Sequence, residues 1–357
     1  GVKMQNKHLF SLLAFTMLAS CTVGPDYERP QFYPDAEVAK NLKLEQAEAS
    51  PVGQDWYKQF NDPALNRLIE RAWAASPNVR IAVHKLRKAR YGLLRSNVQS
   101  FPMLDINAGY NYDRSSRDIG FSIDRDYYQL GMDASWELDI WGGNRRAAEA
   151  SRALFEAAGA NLDNVRLVMA AEVAKNYISL RTAQEQLRVA RENLKLQQEI
   201  YQLVQQKYDV GLTDFIALNQ AQYAVESTKT LIPQLESEIE AYKNAVAVLL
   251  GVLPDDLAGT LDNTADNLVH RRLSYNLKQL YRLRVDVIRN RPDVRLAEQN
   301  LIAQNAAVGE AVANLYPDVS ISGFVGWQSG KIAGLINGDH STYSYAPALK
   351  LPFFHWN

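Results

Sequence analysis

Few of the 357 residues have the type and spacing for covalent or metal chemistry. The single cysteine, Cys21, excludes an internal disulfide and a cysteine-rich metal site. His8, His84, His270, His340 and His355 are scattered without ligand spacing, so no metal site is expected. The sequence contains no Gly-x-Ser-x-Gly, phosphate-binding loop, His-Glu-x-x-His or dinucleotide fingerprint. No carboxylate pairs convincingly with a second group at catalytic spacing, and the chain is not read as an enzyme. A net charge of −1, from 39 Lys+Arg against 40 Asp+Glu, argues against a nucleic-acid partner. Three features remain: Cys21, a row of carboxylates and amides that alternates with apolar residues, and a glycine turn at residues 210–213.

Cys21 follows Lys3, Lys7 and an apolar run from Leu9 to Leu18, broken only by Ser11 and Thr16. A charged start followed by a short apolar run is an export-signal pattern, here residues 1–20, and the run is too short to span a bilayer. Leu18-Ala19-Ser20-Cys21 resembles the bacterial lipobox, whose cysteine is acylated and becomes the first mature residue. The alternative is a plain signal peptide with an incidental cysteine. In Gram-negative lipoproteins, Thr22 rather than Asp after the cysteine implies sorting to the outer membrane. Each buried acyl CH₂ contributes about 0.8 kcal/mol, so several chains anchor firmly.

The elements that must position these groups follow in order. Residues 21–61, with Pro25, Pro30, Pro34 and Pro51, read as an extended tether. Asn61 or Asp62 before Pro63 starts helical segments over 62–100, interrupted at Ser76-Pro77. Leu104, Ile106, Ala108, Tyr110 and Tyr112 alternate with Asp105, Asn107, Gly109, Asn111 and Asp113. After a loop from Arg114 to Asp126, Leu130 to Ile140 alternate with Gln129 to Asp139, giving a strand hairpin within 103–141. Tyr127, Tyr128, Trp136 and Trp141 stand near strand ends. A helical hairpin then occupies 144–251, its first arm about 100 Å long at 1.5 Å per residue. That arm has two apolar rows, Leu180-Leu187-Leu194-Tyr201-Tyr208 and Val189-Leu196-Leu203-Val210, about 200° apart. The returning arm has a seam of Leu218, Val225, Ile232, Ile239 and Val246, with a kink expected at Pro233. A helix with two such rows suits a wall of helices.

Residues 62–276 form one structural repeat, and residues 277–357 begin a second. Ser-Pro-Asn-Val-Arg at 76–80 matches Arg-Pro-Asp-Val-Arg at 291–295, and Phe101-Pro102 matches Tyr316-Pro317 (292 − 77 = 317 − 102 = 215). Val319, Ile321, Gly323 and Val325 then restart the strand pattern, and Tyr343, Tyr345, Leu349 and Leu351 continue it. By the same offset a second long helical hairpin falls beyond Asn357, so an intact chain is expected to run past residue 465 (250 + 215). The 357 residues then read as a fragment with impaired function.

A four-stranded sheet with one apolar face cannot close alone, and lipid tolerates no open edge. Three copies would supply twelve strands. The chain resembles the TolC-like outer-membrane factors of efflux systems, in the lipoprotein branch called NodT. The carrying residues are Leu-Ala-Ser-Cys (18–21), Gly-Pro-Asp-Tyr-Glu-Arg-Pro (24–30), Trp-Glu-Leu-Asp-Ile-Trp-Gly (136–142) and Ala-Glu-Val-Ala-Lys-Asn-Tyr (171–177). Tyr-Asp-Val-Gly-Leu-Thr (208–213), Leu-Leu-Gly (249–251) and Arg-Pro-Asp-Val (291–294) complete them.

The resemblance implies a mixed α and β fold, completed in a homotrimer as a twelve-stranded β-barrel in the outer membrane and a periplasmic α-barrel. It implies a passive conduit joined to a periplasmic adaptor and an inner-membrane pump, of the resistance-nodulation-division type. It places adaptor docking at Val210, Gly211, Leu212 and Thr213, and a covalent lipid on Cys21 as the only attached group. Asp105, Asn107, Asp133, Glu137 and Asp139 alternate with lipid-facing residues and are expected to line the lumen. The family's gating acids lie on the second hairpin, so none is carried over. A periplasmic coiled-coil lipoprotein that only spaces membranes is the alternative, as is an inactive fragment of a channel.

Overall fold

A computed structural model describes residues 22–30, 55–114, 124–262 and 289–352. Cys21, the signal segment, the tether from 31 to 54, the loop residues 115–123, and residues 263–288 and 353–357 lie outside the described residues. The chain divides into two compact units: residues 1–31, 86–158 and 296–357, and residues 32–85 and 159–295.

Two helices start where an aspartate cap directs. Helix α1 (Pro63–Ala75) begins at Asp62, whose Oδ1 accepts from the amides of Ala64 (2.7 Å) and Leu65 (3.1 Å). Ser76 takes extended backbone before Pro77 and separates α1 from α2 (Pro77–Val98). Helix α3 (Gly143–Asp209) is 67 residues long, about 100 Å at 1.5 Å per residue. Helix α4 (Phe215–Leu250) is capped by Asp214, which accepts from the Ala217 amide at 2.9 Å. It runs through Pro233 as one helix and ends at Gly251, at φ +66°. No single described helix is long and apolar enough to cross a membrane.

In the second unit Leu65, Ile69 and Ala72 of α1 pack with Val173, Tyr177 and Leu180 of α3 and with Val246 and Leu250 of α4. The Tyr177 hydroxyl donates to Asp62 Oδ2 at 2.9 Å, so one buried carboxylate caps α1 and ties it to α3. Arg181 donates to the Leu261 carbonyl (2.9 Å) and lies over the Tyr177 ring, 4.9 Å from its centre. The expected seam of α4 is buried at Leu218, Val225, Ile239 and Val246. On α3 the two rows part company: Leu180 is fully buried, while Val189, Leu196 and Leu203 are exposed. One row is used within the hairpin, and the other is left without cover among the described residues.

The first unit holds an antiparallel sheet in the order β1-β2-β3-β4. Its strands are β1 (Met103–Arg114), β2 (Asp124–Leu138), β3 (Asp318–Ser329) and β4 (Ser341–Lys350). Strand β2 starts earlier than the alternation predicts, because Tyr110 and Tyr128 rings meet at 5.0 Å and Arg114 pairs with Asp124. Pro347 lies within β4, the edge strand of this sheet, where proline is tolerated. The repeat is visible in the elements themselves. Helix α5 (Pro292–Ala313) and β3 reproduce the bounds of α2 and β1 displaced by 215 (292 − 77 = 318 − 103 = 215).

Candidate functional site

The register sorts the sheet into two faces. Leu104, Ile106 and Tyr110 of β1 share one face with Met132 and Trp136, with Ile321 and Val325, and with Tyr343 and Tyr345. These side chains are exposed, Ile106 at 81% and Tyr343 at 80%. The opposite face carries Asp105, Asn107, Asp133 and Glu137, with Ser320 and Ser322 on β3. Asp105 stands directly across from Asp133, and Asn107 Nδ2 donates to the Asp133 carboxylate. Like charges in direct opposition are destabilising unless water screens them. One face is therefore suited to lipid and the other to water.

Asp139 departs from the expected row. Strand β2 ends at Leu138. The Asp139 carboxylate accepts from the amides of Asn144 and Arg145, both at 3.0 Å, and from Arg145 Nε at 3.3 Å. It closes the first turn of α3, where a negative charge meets unpaired amides and the positive end of the helix dipole. The turn through Gly142, at φ +81°, takes the chain off the strand period, which alternation alone cannot register.

Residues 22–30, immediately after Cys21, lie against the helix-joined end of the sheet. The Val23 amide donates to the Trp141 carbonyl at 3.0 Å. Arg146, 4% exposed, donates to the carbonyls of Val23 (3.2 Å) and Gly24 (3.3 Å), to Asp26 (2.6 Å) and to Glu149 (2.8 Å). Glu149 first and then Asp26 hold its guanidinium above its ordinary pKa, so it is charged throughout. Arg29 binds both oxygens of Glu298 at 2.5 Å, and Asn305 donates to the Pro25 carbonyl at 3.0 Å. Gly24, at φ +90°, packs so closely that a Cβ would stand 2.4 Å from Gly309 Cα. Trp141 stacks on Tyr316 at 4.6 Å and donates to the Pro317 carbonyl at 2.9 Å. Sequence reasoning missed Arg146, Glu298 and Asn305. The Gly-Pro-Asp-Tyr-Glu-Arg-Pro run was the available signal, but it names no partner.

At the far turn of the helical hairpin, Gly211 adopts φ +78° and its amide donates to the Tyr208 carbonyl at 2.9 Å. The Leu212 amide reaches the Lys207 carbonyl at 2.8 Å, which closes α3. Val210 and Leu212 are 70% and 77% exposed, and Phe215 and Ile216 beside them are exposed too. Thr213 is half-buried, next to the capping Asp214. Clustered exposed apolar side chains mark a contact surface.

The sequence pattern of the family described as "Outer membrane efflux protein" matches residues 68–252 and 283–357. The chain is 27% identical to the probable outer membrane lipoprotein SilC of Salmonella typhimurium over 356 residues, 97% of this chain and 74% of that protein. It is 26% identical to the cation efflux system protein CusC of Escherichia coli K12 over 342 residues, 95% of this chain and 72% of that one. Among solved structures the outer-membrane channel OprN superposes with a TM-score of 0.78 at 33% identity, covering 93% of this chain and 73% of its own.

Proposed function

The chain belongs to the outer membrane efflux protein family, and from that membership we propose how its parts make a conduit. It is an outer-membrane channel protein of an efflux system. Three copies join their sheets edge to edge as a twelve-stranded barrel. Their helical hairpins form the wall of a periplasmic tube.

The two-faced sheet carries this reading. Its apolar face is exposed, and its β1 and β4 edges have no partner among the described residues. Lipid accepts the face but not the edges, so strands from other copies must close the ring. Asp105, Asn107, Asp133 and Glu137 then line the lumen. The exposed row Val189-Leu196-Leu203 is covered by neighbouring helices, and an α3 of about 100 Å reaches across an aqueous compartment.

The strap at residues 22–30 is held beside Trp141, which stacks on Tyr316, aromatics of the type that marks a membrane surface. An acylated Cys21 therefore enters the leaflet at the helix-joined end of the sheet. The tip at Val210, Gly211, Leu212 and Thr213 docks a periplasmic adaptor, which connects to an inner-membrane pump of the resistance-nodulation-division type.

Planar-bilayer recording tests the conduit. The assembled protein is expected to conduct with cation preference, which falls on replacing Asp105 and Asp133 by Asn. A stable assembly without conductance would refute it and favour a membrane spacer.

A further inference from the structure

Strand β3 carries an aromatic side chain, Phe324, on the polar face, where Ser320, Ser322 and Gln328 are its neighbours along the strand. The register sets Phe324 opposite Asp133 on β2 and Ser344 on β4. Its ring leans toward Gly131 and Gly326, which face each other across β2 and β3. A Cβ on Gly131 would stand 2.4 Å from both Cε2 and Cζ of the ring and 2.7 Å from the Val325 carbonyl oxygen, whereas one on Gly326 would meet backbone first, the Leu130 carbonyl oxygen at 2.3 Å and Gly131 Cα at 2.6 Å, and the ring's Cζ at 2.8 Å. Both glycines are buried on a face that is otherwise largely open, and Phe324 itself is half-buried. Two directly opposed glycines weaken a sheet interior, since they add backbone freedom and no packing. An aromatic ring laid over such a pair restores the lost contact.

We infer that Phe324 and its seat of Gly131 and Gly326 set the calibre of the lumen. The ring lies along the wall because the seat has no side chains. With a Cβ at Gly131, where the ring atoms are the nearest neighbours, it would project into the passage once per copy. The passage of bulky solutes therefore depends on the seat, while small ions are little affected. This rests on the reading of the polar face as the channel lumen.

The test places a thiol at Ser320→Cys, four residues from Phe324 on the same face and nearer the helix-joined end. Cells carrying the full chain are labelled from outside with water-soluble maleimides of increasing size, and the protein without that substitution is the blank. Adding Gly131→Ala is expected to slow the largest maleimides several-fold and leave the smallest unchanged. Adding Phe324→Ala as well restores the parent rate, and Phe324→Ala alone changes it less than twofold.

Slowing by Gly131→Ala that persists without the ring overturns the inference, as does no slowing at all. A several-fold rise from Phe324→Ala alone overturns it too, because the ring then already projects. If Gly131→Ala does not reach the membrane, Phe324→Trp decides. An indole outgrows the seat and slows the large reagents, and an unchanged rate overturns the proposal. If the thiol at position 320 is closed even to the smallest reagent, the lumen reading fails and this inference falls with it. A reactive thiol without a size effect sinks the seat alone.

Discussion

Replacing Ala108 by Arg tests the assignment of faces at the point where it costs most. Ala108 lies midway between Leu104 and Tyr112 on the exposed apolar face of β1. The eight steps from Leu104 to Tyr112 span about 27 Å along the strand at 3.4 Å each, or about 20 Å of depth at the usual barrel tilt. That is close to the apolar band of an outer-membrane barrel, so Ala108 falls near its middle. Arginine at the midplane costs about 2–4 kcal/mol per copy, roughly a 30- to 700-fold shift against the inserted state. Asn107, one residue away, points to the opposite face, where Asn107→Arg meets Asp133 and water. The assay is the fraction of protein recovered as an SDS-resistant assembly from outer membranes. Ala108→Arg is expected to abolish that species, and Asn107→Arg to retain it. Equal loss in both, or loss only in Asn107→Arg, would refute the lipid and lumen faces.

Asp139→Ala removes the α3 cap, and thermal denaturation should show a loss of about 1 kcal/mol with ion selectivity unchanged. A selectivity change would return Asp139 to the lumen. Tyr177→Phe leaves the buried Asp62 oxygen without its donor and should cost about 1–3 kcal/mol in denaturant unfolding. Burial holds the Tyr177 hydroxyl above its ordinary pKa of 10.0, so its stabilisation is present below pH 10 and lost as pH rises further. The alkaline fall in stability should therefore be shallower in Tyr177→Phe, and an identical pH profile would contradict this. Leu212→Asp, at an exposed tip position, should reduce adaptor cross-linking and leave the melting temperature unmoved. Arg146→Ala should expose residues 22–30 to protease in detergent, and an unchanged digestion pattern would show that the strap is held without it.

Periodicity made much of this fold legible, because strands and helices print their exposure into the chain at periods of 2 and 3.6. The two faces of β1 and β2, the turn at Gly211, the seam of α4 and the 215-residue repeat all follow from local spacing. Asp62 and Asp214 are legible as caps because a cap bonds to amides two or three residues away. Arg146, Glu298, Asn305 and Phe324 are different. Their partners lie more than 100 residues away in the chain: Val23, Arg29, Pro25 and Gly131. No spacing within a segment encodes such a contact. Asp139 shows the same limit from the other side, since its type and parity fit the strand while a turn of three residues hands it to α3. Thus the sequence determined which strand residues share the apolar face and which share the polar one. Only the tertiary structure decided which polar groups hold the strap, which one caps the long helix, and where an aromatic ring rests on the polar face of the sheet, because those depend on segments brought together by the sheet register and by helix ends that no local pattern pairs.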